Sequence, residues 1–383
     1  MPISLYVHIP FCLKRCIYCD FISGLYNPDR AYAYIDALKK EMSHLPNEQP
    51  LSTLFIGGGT PTALSSDVLS TLIDHIFTKF RFEQDYEATI EANPGTVDTD
   101  KLKAICSAGI NRISIGVQSF HDDELSLLGR IHTSAEAEHA VHLARDAGLE
   151  NIGIDLIYGI PGQDTESWNN TLGKAVSLKP KHISTYELTV EKQTELYKYL
   201  TEDNKFTLPD EDKIIEMYQY AIDYLKSEGY HHYEISNFAL PNYPCRHNLN
   251  YWDRGECYGA GLGAHSFINK TRFHNTDDLD EYLDLISQGK SPVKGSESIT
   301  ADMALSEAIF LGLRKTCGIN IETFSKRYNR NILSCYQKEL DALQADGLIE
   351  VTSSDCSYET TLKLTQKGLV LSNEVFIKFI QLS

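Results

Sequence analysis

Basic side chains are in short supply in this 383-residue sequence: 35 Lys and Arg stand against 53 Asp and Glu, a formal net charge of −18. Nucleic-acid phosphates are bound chiefly through Lys and Arg, so the balance argues against a nucleic-acid partner. It argues equally against a polybasic anchor on an anionic membrane. No uninterrupted apolar run approaches the roughly 20 residues of a membrane-spanning helix. Only peripheral membrane contact is left open. The first residues, Met1-Pro2-Ile3-Ser4-Leu5-Tyr6-Val7, carry no cationic leader region and no small-residue cleavage site, so export is not expected. Nine cysteines are too few for a disulfide-built secreted scaffold. The expectation is a reducing, cytoplasmic setting, where cysteines are more often reduced, metal-bound or catalytic than bridged. What is present, 42% hydrophobic and 23% charged residues, is ordinary globular composition, long enough for two or three domains.

The first half alternates short apolar runs with amphipathic segments. Residues 5–9, 53–56, 88–92, 112–117, 152–157 and 182–188 read as near-continuous apolar strands. Residues 31–45, 67–80, 100–108, 134–147 and 166–178 between them carry helical apolar spacing, as at Val68, Leu69, Leu72, Ile73 and Ile76. Such β-α repeats predict a parallel sheet covered by helices. Six units are too few for a closed eightfold barrel, so the expected fold is α/β, a partial (β/α)6 TIM-like barrel over residues 1–230. Chemistry in such folds gathers at the C-terminal ends of the strands. That rule puts Cys12, Gly57, Gly58, Gly59, Glu91, Gln118, Asp155 and Glu187 on one rim.

A long helix over 211–228 precedes a connecting region, 231–298, rich in Tyr, His and Gly. Residues 299–383 read as a winged-helix-like C-terminal domain, with helices at 306–313, 321–328 and 333–345, a hairpin from 346–351 and 361–366, and a closing helix at 369–380. Nine basic and ten acidic residues from Thr300 onward make no phosphate-binding surface, so a structural or docking role is expected there.

Cys12, Cys16 and Cys19 stand as C-x3-C-x2-C directly after the first strand. A disulfide accounts for at most two of them. A closed zinc site wants four ligands, and His8 is the nearest candidate for the fourth. Three thiolates on one tight loop suit a cuboidal iron–sulfur cluster and leave one iron open to a small molecule. Glycines in Gly57-Gly58-Gly59-Thr60-Pro61-Thr62 let the backbone approach a ligand closely. Glu91 can accept two ribose hydroxyl hydrogen bonds or stand as a solvated rim carboxylate. Arg130 and Asp155 could form a structural ion pair.

The cysteine loop, the glycine run, Glu91, Gln118, Arg130 and the Asp155-Leu156-Ile157-Tyr158-Gly159-Ile160-Pro161-Gly162 run carry a resemblance. Over nearly its whole length the sequence resembles the radical S-adenosylmethionine proteins, and within them the oxygen-independent coproporphyrinogen III oxidase group. The resemblance implies a 4Fe-4S cluster on Cys12, Cys16 and Cys19, with S-adenosylmethionine chelating the open iron. An electron from the cluster then yields a 5′-deoxyadenosyl radical. It also implies that Tyr6, Gly58 and Glu91 bind this S-adenosylmethionine, with the run from Gly57 contacting its amino group. Tyr18, Gly59, Thr60, Gln118, Arg130 and Asp155 would bind a second one.

The group contains true oxidases and HemW-type haem chaperones. The oxidases carry a fourth cysteine two residues after the third, and an N-terminal extension; here the position is Phe21 and the first strand begins almost at Met1. His247-Asn248-Leu249-Asn250-Tyr251-Trp252 matches H-N-x-x-Y-W, a signature of the HemW-type proteins associated with haem binding. An imidazole can ligate haem iron, and Tyr and Trp can lie against a porphyrin face. Alternatively, His247 and Asn248 hydrogen-bond the loop beneath the barrel and Trp252 fills core. Cys245 is another candidate haem ligand, and Arg246, Arg254 and Arg272 are the nearest partners for propionates. Cys106, Cys257, Cys317, Cys335 and Cys356 lack metal spacing and read as buried small hydrophobes. The resemblance thus implies a haem chaperone that uses haem acceptor proteins and an electron donor, with a homo-oligomer left open. No catalytic residue is assigned. The alternative is radical decarboxylation of coproporphyrinogen, or a radical haem-modifying reaction.

Overall fold

A computed structural model describes residues 3–353 and 360–380. Its β-α repeats set the middle of one twelve-stranded sheet. Strands β1 (Ile3–Ile9), β2 (Leu51–Gly58), β3 (Phe82–Ala92), β4 (Arg112–Gln118), β5 (Asn151–Tyr158) and β6 (His182–Glu187) pair in parallel, in chain order. The crossovers are α1 (Pro28–His44), α2 (Ser66–Lys79), α3 (Thr99–Ser107), α4 (Ser134–Asp146) and α5 (Thr165–Ser177). Local chemistry starts these helices. The Asn27 side chain accepts the Arg30 N–H with Pro28 in the first turn, and Thr133 and Glu136 form a reciprocal capping box.

The strands are two-faced rather than continuously apolar. Leu5, Val7, Leu54, Ile56, Ile113, Ile115 and Ile154 are fully buried beneath helices. The intervening residues on the same strands are polar, as with Ser4, His8, Thr53, Ser114, Asp155 and Ser184. A strand alternates faces with period two, so the polar set shares the concave side. This face lines a site, which is why it departs from the apolar character expected of a sheet buried on both sides.

Residues 231–298 extend the sheet at both ends. After α6 (Glu211–Ser227), strands β7 (His231–Glu234) and β8 (Asn237–Ala239) add antiparallel beyond β6. The chain then passes beneath the barrel through α7 (Arg246–Trp252), and β9 (Glu256–Ala260) pairs in parallel with β1. Strands β10 (His265–Ile268), β11 (Thr271–Asn275) and β12 (Val293–Ser298) continue antiparallel, with α8 (Leu279–Ser287) between the last two. Sequence reading found the six parallel strands and missed these six.

The C-terminal unit has its own core, which includes Ile309, Leu313, Ile332, Leu362 and Phe379. Its first helix, α9 (Ala301–Gly312), starts earlier than expected because Thr300 caps it through the Met303 N–H. The expected third helix is two pieces, Ile332–Cys335 and Gln337–Ala345, interrupted at Tyr336, whose backbone is non-helical (φ −124°, ψ 29°). The closing helix is likewise split, into Gln366–Val370 and Ser372–Phe376, at Leu371 (φ −102°, ψ 31°). The hairpin of Ile349–Ser353 and Thr360–Leu364 gains a third strand, Ile319–Asn320. Among the described residues no helix is long and apolar enough to cross a membrane.

Candidate functional site

The three cysteines lie where the chain leaves β1. Phe11–Cys12 pairs with Gly24–Leu25, and the Tyr26 N–H donates to the Cys12 carbonyl at 2.8 Å, so the loop is closed at its base. Its far side is pinned through Ile17, which donates to the Leu128 carbonyl at 3.2 Å and accepts from the Leu196 N–H at 2.9 Å. All three thiols are free and half-buried. Thr60 Oγ1 donates to Cys12 Sγ at 3.6 Å, and the Arg130 guanidinium to Cys16 Sγ at 3.5 Å. Burial raises the Cys12 thiol and pushes that of Cys19 up to about 11, so metal binding here must displace protons.

Among the described residues no group of three or more His, Cys, Asp and Glu converges on one metal ion. Three thiols are one ligand short of a closed zinc site. His8 is not a fourth ligand, because its Nε2 is bonded to the Ile22 carbonyl (2.8 Å) and its Nδ1 to the Tyr6 hydroxyl (3.0 Å). Three separate sulfurs, two of them facing hydrogen-bond donors, fit a cluster that takes one thiolate per iron.

Beside the loop, the glycine run forms a tight cradle. A Cβ on Gly57 would meet Glu91 Oε2 at 2.9 Å; on Gly59 it would meet the Phe11 carbonyl at 2.8 Å and Cys12 Sγ at 3.0 Å. Gly58 sits at φ +117° over the His8 ring and donates its N–H to Glu91 Oε2 at 3.1 Å. Burial, then the Asp155 charge, pushes Glu91 up to about 8. Glu91 is thus tied to the glycine turn and is no freely solvated rim carboxylate. Tyr6 stacks on Phe55 with ring centroids 6.2 Å apart.

Deeper on the same face, Asp155 accepts from Ser114 (3.0 Å) and Ser184 (2.7 Å), while Arg130 donates to the Gly116 carbonyl. The suggested Arg130–Asp155 ion pair is therefore not formed; each group has other partners. Gln118 adopts φ 71°, uncommon for a residue with a side chain. Its amide packs over Gly116, where a Cβ would lie 2.9 Å from Nε2. Tyr18 packs against the small apolar cluster of Leu128, Ile157 and Leu188 beneath the loop. Ser114 and Ser184 were missed as site residues, and His8, considered only as a metal ligand, instead supports Tyr6. Their signal was positional, since each lies two residues from another inward-facing residue on its strand.

The H-N-x-x-Y-W motif lies elsewhere. His247 is 1% exposed at the N-terminal end of the strands, opposite the cysteines. Its Nδ1 is bonded to Thr53 Oγ1 (2.7 Å) and its Nε2 to the Tyr251 hydroxyl (3.1 Å). Glu87 caps the helix that carries it, accepting the N–H groups of Arg246 (3.0 Å) and His247 (3.1 Å). Trp252 lies under the Arg314 guanidinium, 4.3 Å from the ring centroid, and so faces the C-terminal unit. Asn248 is half-buried on the same short helix. In this structure His247 is buried with both ring nitrogens engaged, while Tyr251 and Trp252 on the same short helix are half-buried, and among the described residues the indole Nε1 of Trp252 is buried without a hydrogen-bond partner. Cys245 is buried, with its thiol 3.7 Å from Glu87 Oε1. The arginines named for propionates are also occupied: Arg246 with Glu83 and Asp85, Arg254 and Arg272 with Glu307. Of the remaining cysteines, Cys257 is buried and Cys106 half-buried, but Cys317 and Cys335 are exposed on the C-terminal unit; Cys356 lies outside the described residues.

Residues 6–175 match the radical SAM superfamily, and residues 299–371 the HemN C-terminal domain. The chain is 37% identical over 381 residues to the heme chaperone HemW of Bacillus subtilis, covering 98% of this chain and 99% of that protein. It is 36% identical to the heme chaperone HemW of Lactococcus lactis, covering 99% and 97%. Against the heme chaperone HemW of Escherichia coli it is 40% identical over 272 residues, 70% of each chain. Among solved structures it superposes on the Escherichia coli coproporphyrinogen III oxidase HemN with a TM-score of 0.86 and 25% identity, covering 99% of this chain and 90% of that one.

Proposed function

Because the chain belongs to the radical SAM superfamily and, within it, to the family of the heme chaperone HemW, we propose that it binds haem and hands it to acceptor proteins in the cytoplasm. The observation that carries this reading is the end-to-end likeness to heme chaperones, at 37% identity over 98% of the chain. The radical SAM family implies a 4Fe-4S cluster and S-adenosylmethionine at the rim. Cys12, Cys16 and Cys19 would hold the cluster. Tyr6, Gly57, Gly58 and Glu91 would hold S-adenosylmethionine, and Tyr18, Gly59, Thr60, Gln118, Arg130 and Asp155 would shape a second pocket beside it. When bound, a cluster with one iron free of protein supplies one electron to a chelated sulfonium.

The chain's own groups prepare this site. Donors from Arg130 and Thr60 point at two sulfurs and offset thiolate charge. Bare glycine backbone leaves room for a ligand that Cβ atoms would fill. The Gly58 N–H orients the Glu91 carboxyl toward the same space.

A second reading, radical decarboxylation of coproporphyrinogen, draws on the shared fold with HemN. Against it stands Phe21, 63% exposed, where the oxidases carry their fourth cysteine. Anaerobic protein incubated with reductant, S-adenosylmethionine and coproporphyrinogen III is expected to release no carbon dioxide, and the same preparation to bind haem. Turnover to protoporphyrinogen would overturn the chaperone reading.

A further inference from the structure

The short helix α7 ends against the C-terminal unit. Directly after Trp252, Asp253 pairs with Lys315, and Arg254 with Glu307. Arg327 donates to the Asp253 carbonyl at 2.9 Å. Among these ties lies Arg314, two residues beyond α9. Its guanidinium sits 4.3 Å from the Trp252 ring centroid and 5.8 Å from that of Phe376. Its backbone is fixed to the sheet: the Arg314 carbonyl accepts the Ile235 N–H at 3.1 Å, and the Thr316 N–H donates to the Tyr233 carbonyl at 3.2 Å. The side chain is held by rings rather than by an acid.

Arg314 is unlike the arginines near it. Arg246, Arg254 and Arg272 each face a carboxylate. Among the described residues no carboxylate pairs with Arg314, and its Nε is buried without a hydrogen-bond partner. Glu234, the carboxyl whose charge reaches it, is fully buried and spends Oε1 on the Ser236 N–H (3.1 Å) and the Asn237 amide. Burial raises the Glu234 carboxyl, which weakens it as a counter-charge. Burial, opposed by Glu234, holds Arg314 below the usual arginine range. The indole Nε1 of Trp252 is likewise buried with no acceptor. Two orphan donors, one of them cationic, thus meet in one stacked pair. Donors without acceptors are costly to bury, and a chain with 53 acidic residues has carboxylates to spare. What the pair lacks is acceptor oxygens, which a ligand's carboxylate carries. Both residues are half-buried, so the pair borders the surface.

We propose that Arg314 and the Trp252 indole N–H together seat one propionate of haem, with the macrocycle against the half-buried Tyr251–Trp252 edge of α7. The inference rests on the haem-binding reading above and supplies its anion-binding residue. Guanidinium binds carboxylates through paired N–H groups of fixed geometry. Ring stacking and the pinned backbone hold this one ready, so little side-chain freedom is lost on binding. The propionate brings Arg314 the negative charge that no side chain pairs with it. The seat also joins two parts of the chain, since Trp252 belongs to the barrel floor and Arg314 to the C-terminal unit.

The test is titration of the full anaerobic chain with haem and with haem dimethyl ester, whose propionates carry no charge, read by the Soret band. Wild type is expected to bind haem about tenfold more tightly than the ester, the worth of one charge-assisted contact. Arg314→Gln should lose that preference and bind the two ligands alike. Trp252→Phe keeps a ring under the guanidinium and removes only the N–H, so it should bind haem about fivefold more weakly and the ester as wild type does. This second variant decides the matter where circular dichroism shows that Arg314→Gln has not folded. Equal affinity of the wild type for the two ligands would overturn the proposal. So would a preference for haem that survives in Arg314→Gln, or equal losses for both ligands in Trp252→Phe, the mark of a packing role. A wild type that binds neither ligand would sink the haem-binding reading itself.

Discussion

Gly58 donates its backbone N–H to Glu91 Oε2 at 3.1 Å, joining the glycine turn of one strand to the carboxyl of the next. Burial and Asp155 keep that carboxyl protonated up to about pH 8. Above it, Glu91 becomes an acceptor-only carboxylate, the better partner for two ribose hydroxyls. S-adenosylmethionine affinity of the cluster-loaded protein is therefore expected to rise between pH 7 and pH 9. Glu91→Gln should bind about tenfold more weakly than wild type at pH 9 and show no such rise. The stability sign runs the other way. An unfolded glutamate loses its proton near its ordinary 4.5 while the folded one keeps it to about 8, so stability falls across that window. Titration calorimetry and denaturation at several pH values read the two effects, and a pH-independent wild-type affinity would refute the assignment.

Gly59 lies against the first cysteine, and a Cβ there would press on Cys12 Sγ at 3.0 Å and the Phe11 carbonyl at 2.8 Å. Backbone cannot give way as a flexible side chain can. Gly59→Ala is expected to lose most of its cluster while keeping wild-type circular dichroism. Iron and sulfide analysis after anaerobic reconstitution measures it; full occupancy would show that the loop tolerates the methyl group.

Cys16 is the sulfur that receives the Arg130 guanidinium, 3.5 Å away. Cys16→Ala should abolish the iron–sulfur absorbance and S-adenosylmethionine cleavage. Haem binding should survive, because His247 and its helix lie at the opposite end of the strands from the cysteine loop. A variant that retained a full cluster would refute the ligand set.

Much of this architecture was legible in the sequence because short-range rules governed it. The β-α alternation located the six parallel strands, and the cysteine spacing located the loop that the structure pins at Tyr26 and Ile17. What escaped was decided by long-range pairing. Strands such as His265–Ile268 and Thr271–Asn275 carry too few apolar residues to stand out and exist because β1 offers a free edge to β9. Two readings of His247, haem contact or a hydrogen-bonded place beneath the barrel, stayed open in the sequence for a related reason. Its partners, Thr53 and Glu87, are 194 and 160 residues away in the chain, so no local pattern could show that the motif folds inward.

Glu307 holds the C-terminal unit to the sheet extension. It pairs with Arg254 at 2.7 Å and with Arg272 at 2.5 Å, and its side chain is 11% exposed. Removing one member of a buried ion pair costs about 3–5 kcal/mol; with Arg272 41% exposed, Glu307→Ala should cost less, about 2–3 kcal/mol. Faster proteolysis of the C-terminal unit relative to the barrel is the expected signature. Unchanged resistance would show that apolar contacts alone hold the units together.

His247 gives the sharpest contrast between a motif and its setting. Burial, then the Arg112 charge, pushes it down to about 3, so it is neutral in the folded protein throughout the physiological range. An unfolded histidine takes up a proton near 6.5, which stabilises the unfolded state as pH falls. The contribution of His247 to stability is therefore complete above pH 6.5 and is lost progressively toward pH 3. His247→Ala should lose about 1–3 kcal/mol at pH 7, because Thr53 and Tyr251 are left without their partner. His247→Gln, which cannot protonate, should show a flatter stability profile between pH 3 and 6.5. If His247→Ala instead kept wild-type stability and lost haem, the barrel floor would have to open to admit the ligand, and His247 itself would ligate the haem.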